Sequence, residues 1–203
     1  MESSYITSAA QAHQLPKSKH AEIALIGRSN CGKSSLINAL LGRIKLARVS
    51  NTPGRTQMVN LFEVNIGAKF LTVADLPGYG YAKAPQDIRK HWQELIDTYL
   101  QRQSIVELLF LIDARRAEEL KDDDIALLKQ LLKARPKSVT LVMTKMDKLN
   151  AKEKREADAG LAKSLRAAGL NIKKIAKVST LAKTGLEELR QAVILDRLAS
   201  EPE

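Results

Sequence analysis

The stretch Gly27-Arg28-Ser29-Asn30-Cys31-Gly32-Lys33-Ser34 constrains this chain more than any other. It fits the pattern G-x-x-x-x-G-K-[ST], a loop that folds round a chain of phosphates. Its surroundings suit that reading. The mostly apolar run over 21–26 predicts a buried parallel strand ahead of it. Leu36, Ile37, Leu40 and Leu41 recur at helical spacing behind it. Gly27 and Gly32 allow a tight backbone turn with amide hydrogens pointing inward. A helix starting here turns its unpaired N–H groups and its dipole toward an anion. Lys33 adds a point charge for β- and γ-phosphates, and the Ser34 hydroxyl is a candidate ligand for Mg²⁺. The plainer alternative is a glycine-rich turn with a surface lysine, and the flanking strand and helix argue against it.

With 203 residues and 44% hydrophobic content, the chain has apolar material for one core and one domain. No apolar run approaches the ~20 residues of a membrane span. Residues 1–20 are polar and lack a charged-then-apolar signal pattern. They read as a flexible tail carrying solvated His13 and His20, with 21–199 as the domain and 200–203 as a short C-terminal tail. Cys31 is the single cysteine, so no internal disulfide forms, which points to a reducing cytoplasm. Its place at a helix N-terminus lowers a thiol pKa, but with no base nearby in sequence it reads as an incidental loop residue. A formal net charge of +10 predicts attraction to polyanions, RNA first, against the alternative of charge for solubility alone. Only 4% of residues are aromatic, which argues against a stacking platform for single-stranded bases.

Residues 42–58 form a long connection bearing Arg43, Lys45, Arg48 and Arg55 and the turn signal Pro53-Gly54. Beside a phosphate loop this is the place for a switch segment, in which Thr52 or Thr56 would reach Mg²⁺. Strands over 59–64 and 69–74 flank a turn at Asn65-Ile66-Gly67-Ala68. The second runs into Asp75-Leu76-Pro77-Gly78, where Asp75 would hold Mg²⁺ from the second shell and Gly78 would offer its amide to a γ-phosphate. Tyr79-Gly80-Tyr81 opens a second switch segment.

Ile88, Trp92, Leu95, Ile96, Tyr99 and Leu100 share one helical face, which makes Trp92 a packed residue and leaves His91 exposed. A buried strand over 106–112 ends at Asp113, which reads as a cap or anchor without chemistry. Asp122, Asp123 and Asp124 suit a helix N-terminus better than a metal cluster. Ile125, Leu128, Leu131 and Leu132 form the inner stripe of that helix, and Pro136 closes it. A strand over 139–143 delivers Thr144-Lys145-Met146-Asp147. Asp147 is suited to accept two hydrogen bonds from the guanine edge, a donor pair adenine lacks. Lys145 lays its stem along the base and reaches the phosphate loop. A charged helix over 151–168, a strand over 172–178, a loop at Ser179-Thr180 and a closing helix over 185–198 complete the chain.

GRSNCGKS, a threonine-bearing loop, DLPG, TKMD and a VST loop stand in the order of a small GTPase. NTPGRTQMVNLFEV at 51–64 and DLPGYGYAK at 75–83 resemble the EngB family of bacterial ribosome-biogenesis GTPases over residues 20–198. The resemblance implies an α/β three-layer P-loop GTPase fold. Its sheet has six strands, mostly parallel with one antiparallel edge, and about five helices flank it. It assigns the phosphates to Gly27 through Ser34 and Mg²⁺ to Ser34 and Thr56, choosing Thr56 over Thr52. Gly54, Arg55, Thr56, Gln57 and Met58 would line the γ-phosphate side, and Asp75 through Gly78 would sense it. Thr144 through Asp147 with Val178, Ser179 and Thr180 would enclose guanine, although alanine is commoner at the position of Thr180. Lys33, Thr56 and Gly78 are the catalytic candidates.

The ligands implied are GTP or GDP and Mg²⁺. The partner implied is a precursor of the large ribosomal subunit with its rRNA, met by a cytoplasmic monomer with no membrane association. The family is also linked to cell division and septation. Tyr79 stands where Ras-like enzymes carry a water-orienting glutamine, so slow intrinsic hydrolysis is expected. Acceleration would come from a partner, from Arg55, or from K⁺ beside Asn30. The alternatives are an RNA-binding assembly chaperone that barely turns over, and a P-loop kinase or ATPase, which Asp147 disfavours.

Overall fold

In the computed structural model the described residues are 1–43, 46–47, 58–79, 86–133 and 138–200. The elements in chain order are β1 (Glu2–Ala9), β2 (Ala21–Gly27), α1 (Lys33–Leu40), β3 (Val59–Ile66), β4 (Lys69–Asp75), α2 (Gln86–Leu100) and β5 (Ile105–Asp113). They continue with α3 (Asp122–Lys133), β6 (Val139–Thr144), α4 (Ala151–Ala167), β7 (Lys174–Lys177), α5 (Leu186–Arg190) and α6 (Asp196–Ser200). Among the described residues the strands form one seven-stranded sheet in the order β1-β3-β4-β2-β5-β6-β7. The five strands from β4 to β7 run parallel, while β3 is antiparallel to β4 and to β1. No described helix is long and apolar enough to cross a membrane.

Alternation along the central strands explains their continuous apolar sequence. Ala24, Ile26, Leu108, Phe110 and Ile112 enter a core shared with α2, α3 and α4. Ile23, Leu25, Leu109 and Leu111 enter a second core with α1 and the closing helices. A strand covered on both faces has no polar face to display, so the period of two is hidden in the sequence. At the amino ends of the strands, buried Glu22 is held by Arg102 at 2.7 Å and by the Tyr99 hydroxyl. Buried Glu107 is held by Arg197 at 3.0 Å and by Thr140 at 2.7 Å.

The sequence predicts six strands with one antiparallel strand at the edge. The seventh strand, β1, comes from the residues read as a flexible tail, and it makes β3 an interior strand. Tyr5 pairs with Phe62, their rings meeting edge-on at 6.0 Å, and Ala9 is fully buried. Ser8 donates to Asn60 Oδ1 at 2.6 Å. An outermost strand needs little apolar sequence, because most of β1 stays in contact with water. The closing helix expected over 185–198 is also modified. A π-helical turn over Gln191–Leu195 separates α5 from α6, and both Val193 and Ile194 are buried there.

The helix α4 starts at Asn150, whose Oδ1 accepts from the Lys152 and Glu153 amides while Glu153 accepts from the Asn150 amide. Midway along it, Gly160 packs so closely on the chain of Glu118 that a Cβ would overlap the Glu118 carbonyl. This contact seats the loop between β5 and α3 against the helix. Gly→Ala inside a helix ordinarily stabilises by up to ~1 kcal/mol. Here Gly160→Ala is expected to destabilise by about 2 kcal/mol and lower Tm by roughly 4–8 °C. A thermal melt that moved upward instead would show that the loop yields to the extra methyl.

Candidate nucleotide-binding site

Gly27, Asp75, Asp113 and Thr144 stand at the carboxyl ends of four adjacent parallel strands. Parallel sheets collect ligands at this edge, where helix N-termini and strand ends converge. The phosphate loop joins β2 to α1 there. Asn30 (φ 63°) and Gly32 (φ 102°) are left-handed, which curls the loop into a concave row of amides leading into the first turn of α1. Gly27 is required for another reason. A Cβ at that position would sit 2.7 Å from both Cys31 Sγ and the Leu111 carbonyl. Lys33 Nζ folds back over the loop to the Gly27 carbonyl at 3.3 Å.

The Cys31 thiol lies under this loop and is 3% exposed. The helix N-terminus was expected to lower its pKa, but burial outweighs the neighbouring Lys33 and pushes it up. It is a packing residue.

The Ser34 hydroxyl donates to Asp75 Oδ2 at 3.2 Å. Its lone pairs are left for a cation. Asp75 is 2% exposed, and its Oδ1 has no hydrogen-bond partner among the described residues. Burial pushes the Asp75 carboxyl up, opposed by the charge of Lys33 and the Ser34 hydrogen bond. A buried, half-satisfied carboxylate beside a hydroxyl is a hard oxygen donor set of the kind Mg²⁺ prefers. Ser34 would be a direct ligand and Asp75 an outer one. Thr56, the other expected ligand, lies outside the described residues with Gly54, Arg55 and Gln57. Met58 is exposed at the start of β3.

Beyond Asp75, the DLPG turn lies along the phosphate loop. The Tyr79 amide donates to the Gly27 carbonyl and the Ser29 amide donates to the Tyr79 carbonyl, both at 3.3 Å. The Tyr79 side chain turns away from the loop's concave face. It stacks on Phe110 at 6.0 Å and donates its hydroxyl to Asp124 at 2.8 Å. Burial and the Asp124 charge push its phenol far up, so it remains a donor.

The residues expected to read guanine converge from two loops. The Asp147 carboxylate accepts from Ser179 Oγ at 2.6 Å, and that bond holds its pKa below the usual carboxylate range. Ser179 in turn accepts from the Ala182 amide at 2.9 Å. Met146 has its side chain in the core and donates its amide to the Val178 carbonyl at 3.2 Å, so it joins the two loops. Leu76 and Val178 likewise point into the core. Lys145 reaches the Asn30 carbonyl at 2.6 Å.

Two acids that brace the site escaped the sequence reading. Asp113, read as an anchor without chemistry, accepts from Lys145 at 3.1 Å and from Arg115 at 2.6 Å. Burial alone would raise its carboxyl, but the Arg115 and Lys145 hydrogen bonds prevail and hold it at about 2. The available signal was its place at a strand end, in register with Thr144 at the end of β6. Asp124, read as one of three helix-starting acids, does accept from the Lys121 amide at 3.2 Å. Unlike exposed Asp122 and Asp123, it is buried beneath Arg28 and Tyr79.

Known proteins share this arrangement. A family model described as "50S ribosome-binding GTPase" matches residues 22–145. The chain is similar to a probable GTP-binding protein EngB of Laribacter hongkongensis, 42% identical over 93% of this chain and 82% of that one. It is similar to another of Coxiella burnetii, 38% identical over 99% and 95% respectively. A solved probable GTP-binding protein engB superposes with a TM-score of 0.67 at 21% identity, covering 89% of this chain and all (100%) of that one. Aquifex aeolicus Era bound to GDP·AlF4⁻ superposes with a TM-score of 0.70 at 28% identity, over 92% of this chain and 58% of Era.

Asp147→Asn is expected to weaken guanine-nucleotide binding about a hundredfold, because an amide presents only one acceptor to the base. Competition with a fluorescent guanine nucleotide measures this, and unchanged affinity would remove Asp147 from base recognition. Asp113 makes a pH-dependent contribution. Its pKa of about 2 in the fold lies below the ~3.9 of an unfolded aspartate. Its stabilisation, ~2 kcal/mol, is therefore present above pH ~4 and lost as pH falls toward 2. Asp113→Asn should lower stability at neutral pH and flatten the loss between pH ~4 and ~2 in denaturant titrations.

Proposed function

Since this chain belongs to the EngB family of GTP-binding proteins, we propose that it is a slow, partner-activated GTPase that acts as a switch in assembly of the large ribosomal subunit. The observation that carries the slow rate is the direction of Tyr79. The first residue after DLPG sends its only polar group to Asp124, so it has nothing to offer an attacking water. In the proposed reaction water attacks the γ-phosphorus in line, and the β-phosphate oxygen leaves. Lys33 and the amides around Gly32 stabilise charge on the phosphate oxygens. Ser34 and Thr56 would hold Mg²⁺, with Asp75 orienting the Ser34 hydroxyl, and the ion would supply further neutralisation of phosphate charge. Asp147, Ser179 and Lys145 restrict the base to guanine.

The activator is a partner supplying a charged group, Arg55 in cis, or a K⁺ ion beside Asn30, whose side chain is exposed at the loop. The +10 charge supports rRNA in a large-subunit precursor as the partner. The name of the matching family model, which describes binding to the 50S ribosome, supports the same partner. In this reading the protein is a cytoplasmic monomer, and its effect on cell division and septation follows from ribosome supply.

The decisive test is sedimentation with ribosomal subunits at moderate salt, in GDP and in a non-hydrolysable GTP analogue. Co-migration with large-subunit particles in the analogue alone is expected. Equal binding in both states, fading smoothly with salt, would replace the switch by an RNA-binding chaperone. Turnover should rise when those particles are added. Equal rates in Na⁺ and K⁺ would remove the potassium ion from the scheme.

A further inference from the structure

Asp124 is a buried carboxylate, 4% exposed, that neither phosphate nor guanine recognition uses. A single oxygen, Oδ1, accepts the Tyr79 hydroxyl at 2.8 Å and the Arg28 guanidinium at 3.3 Å. Those residues come from two different segments. Arg28 is the first variable residue of the phosphate loop, and Tyr79 follows the DLPG turn that senses the γ-phosphate. The guanidinium also lies over the tyrosine ring, 5.8 Å from its centre. The other oxygen of Asp124 is fixed by the Lys121 amide at 3.2 Å. Thus the start of α3 clasps both segments through one side chain.

This clasp has a consequence for Gly78. With Tyr79 docked, its amide and carbonyl pair with Gly27 and Ser29, which continues the β2–β4 ladder beyond the strand ends. Gly78 then lies flush on Ser29, where even a Cβ would come within 2.9 Å of the Ser29 hydroxyl and 3.1 Å of its backbone. Tyr79 is the immediate neighbour of Gly78, so the clasp also fixes where the Gly78 amide stands. A diphosphate carries no γ-phosphate to draw that amide off Ser29.

We propose that Asp124 is a positioning residue that sets the preference between guanosine di- and triphosphate, by latching Tyr79 and Arg28 together so that Gly78 stays seated on the phosphate loop. The proposal rests on the GTPase reading and names the residues that bias its two states. A ligand shifts such an equilibrium only through its differential affinity for the two arrangements. The latch is therefore overcome by the triphosphate alone, and it lowers triphosphate affinity without touching that of the diphosphate.

Tyr79→Phe removes the hydroxyl and keeps the ring on Phe110. Asp124→Asn keeps the shape and removes the charge. In full-length protein, each is tested by competing a fluorescent guanine nucleotide with GDP and with a non-hydrolysable GTP analogue. Each variant should raise affinity for the analogue about tenfold, the scale of one hydrogen bond to a charged group, with GDP affinity unchanged. The double variant should gain little more than either single one, since both act on the same contact. Loss of affinity for both nucleotides in equal proportion, with a lower Tm, would make the cluster purely structural and overturn the proposal. A ratio that stays fixed or moves toward GDP would overturn it too. Failure of the unaltered protein to bind either nucleotide would instead overturn the GTPase reading beneath it.

Discussion

The hydrogen bond from the Thr144 hydroxyl to the Cys31 carbonyl, at 2.5 Å, joins the two halves of the site. It runs from the end of β6, which carries the residues proposed to read guanine, to the phosphate loop at the end of β2. Lys145 makes the same crossing to the Asn30 carbonyl, and Asp113 steadies it from β5. A loop that turns amides toward its concave side leaves carbonyls facing outward, and those carbonyls need donors. The donors come from the neighbouring strand ends. The two loops are thus mechanically coupled, because the groups that shape one also complete the other.

Charge is distributed with the same economy. The sheet buries acids at both ends, and they serve different purposes. Glu22 and Glu107 at the amino ends are enclosed by Arg102 and Arg197, so part of the chain's positive charge is spent on internal pairs. Among the described residues, Asp75 at the carboxyl end keeps one oxygen without a partner. A buried carboxylate left half-satisfied costs stability, and it persists where a cation completes it. This contrast sets Asp75 apart as the acid at which a cation would be accommodated.

Tyr79 illustrates how one position exchanges one role for another. A glutamine there would orient water. The tyrosine instead buries its ring on Phe110 and its hydroxyl on Asp124. The same side chain links the DLPG turn to the start of α3. In the proposed function, dependence on an external activator and the presence of this link have the same origin.

The phosphate loop, the order of the strands that end in DLPG and TKMD, and the buried character of 106–112 and 139–143 are legible in the residues alone. Those features depend on local residue type and spacing, because a loop that curls round an anion needs Gly32 at positive φ and a covered strand needs apolar residues throughout. Pairing over long distances is not legible there. The strand at Glu2–Ala9 is polar enough to pass for a tail, because an outermost strand gains little from burial and more from the ladder of its neighbour β3. Asp113 and Asp124 look like any acids that begin a helical segment. Their partners Lys145, Arg28 and Tyr79 lie tens of residues away, and no local pattern encodes which carboxylate will meet which cation once the strands are side by side.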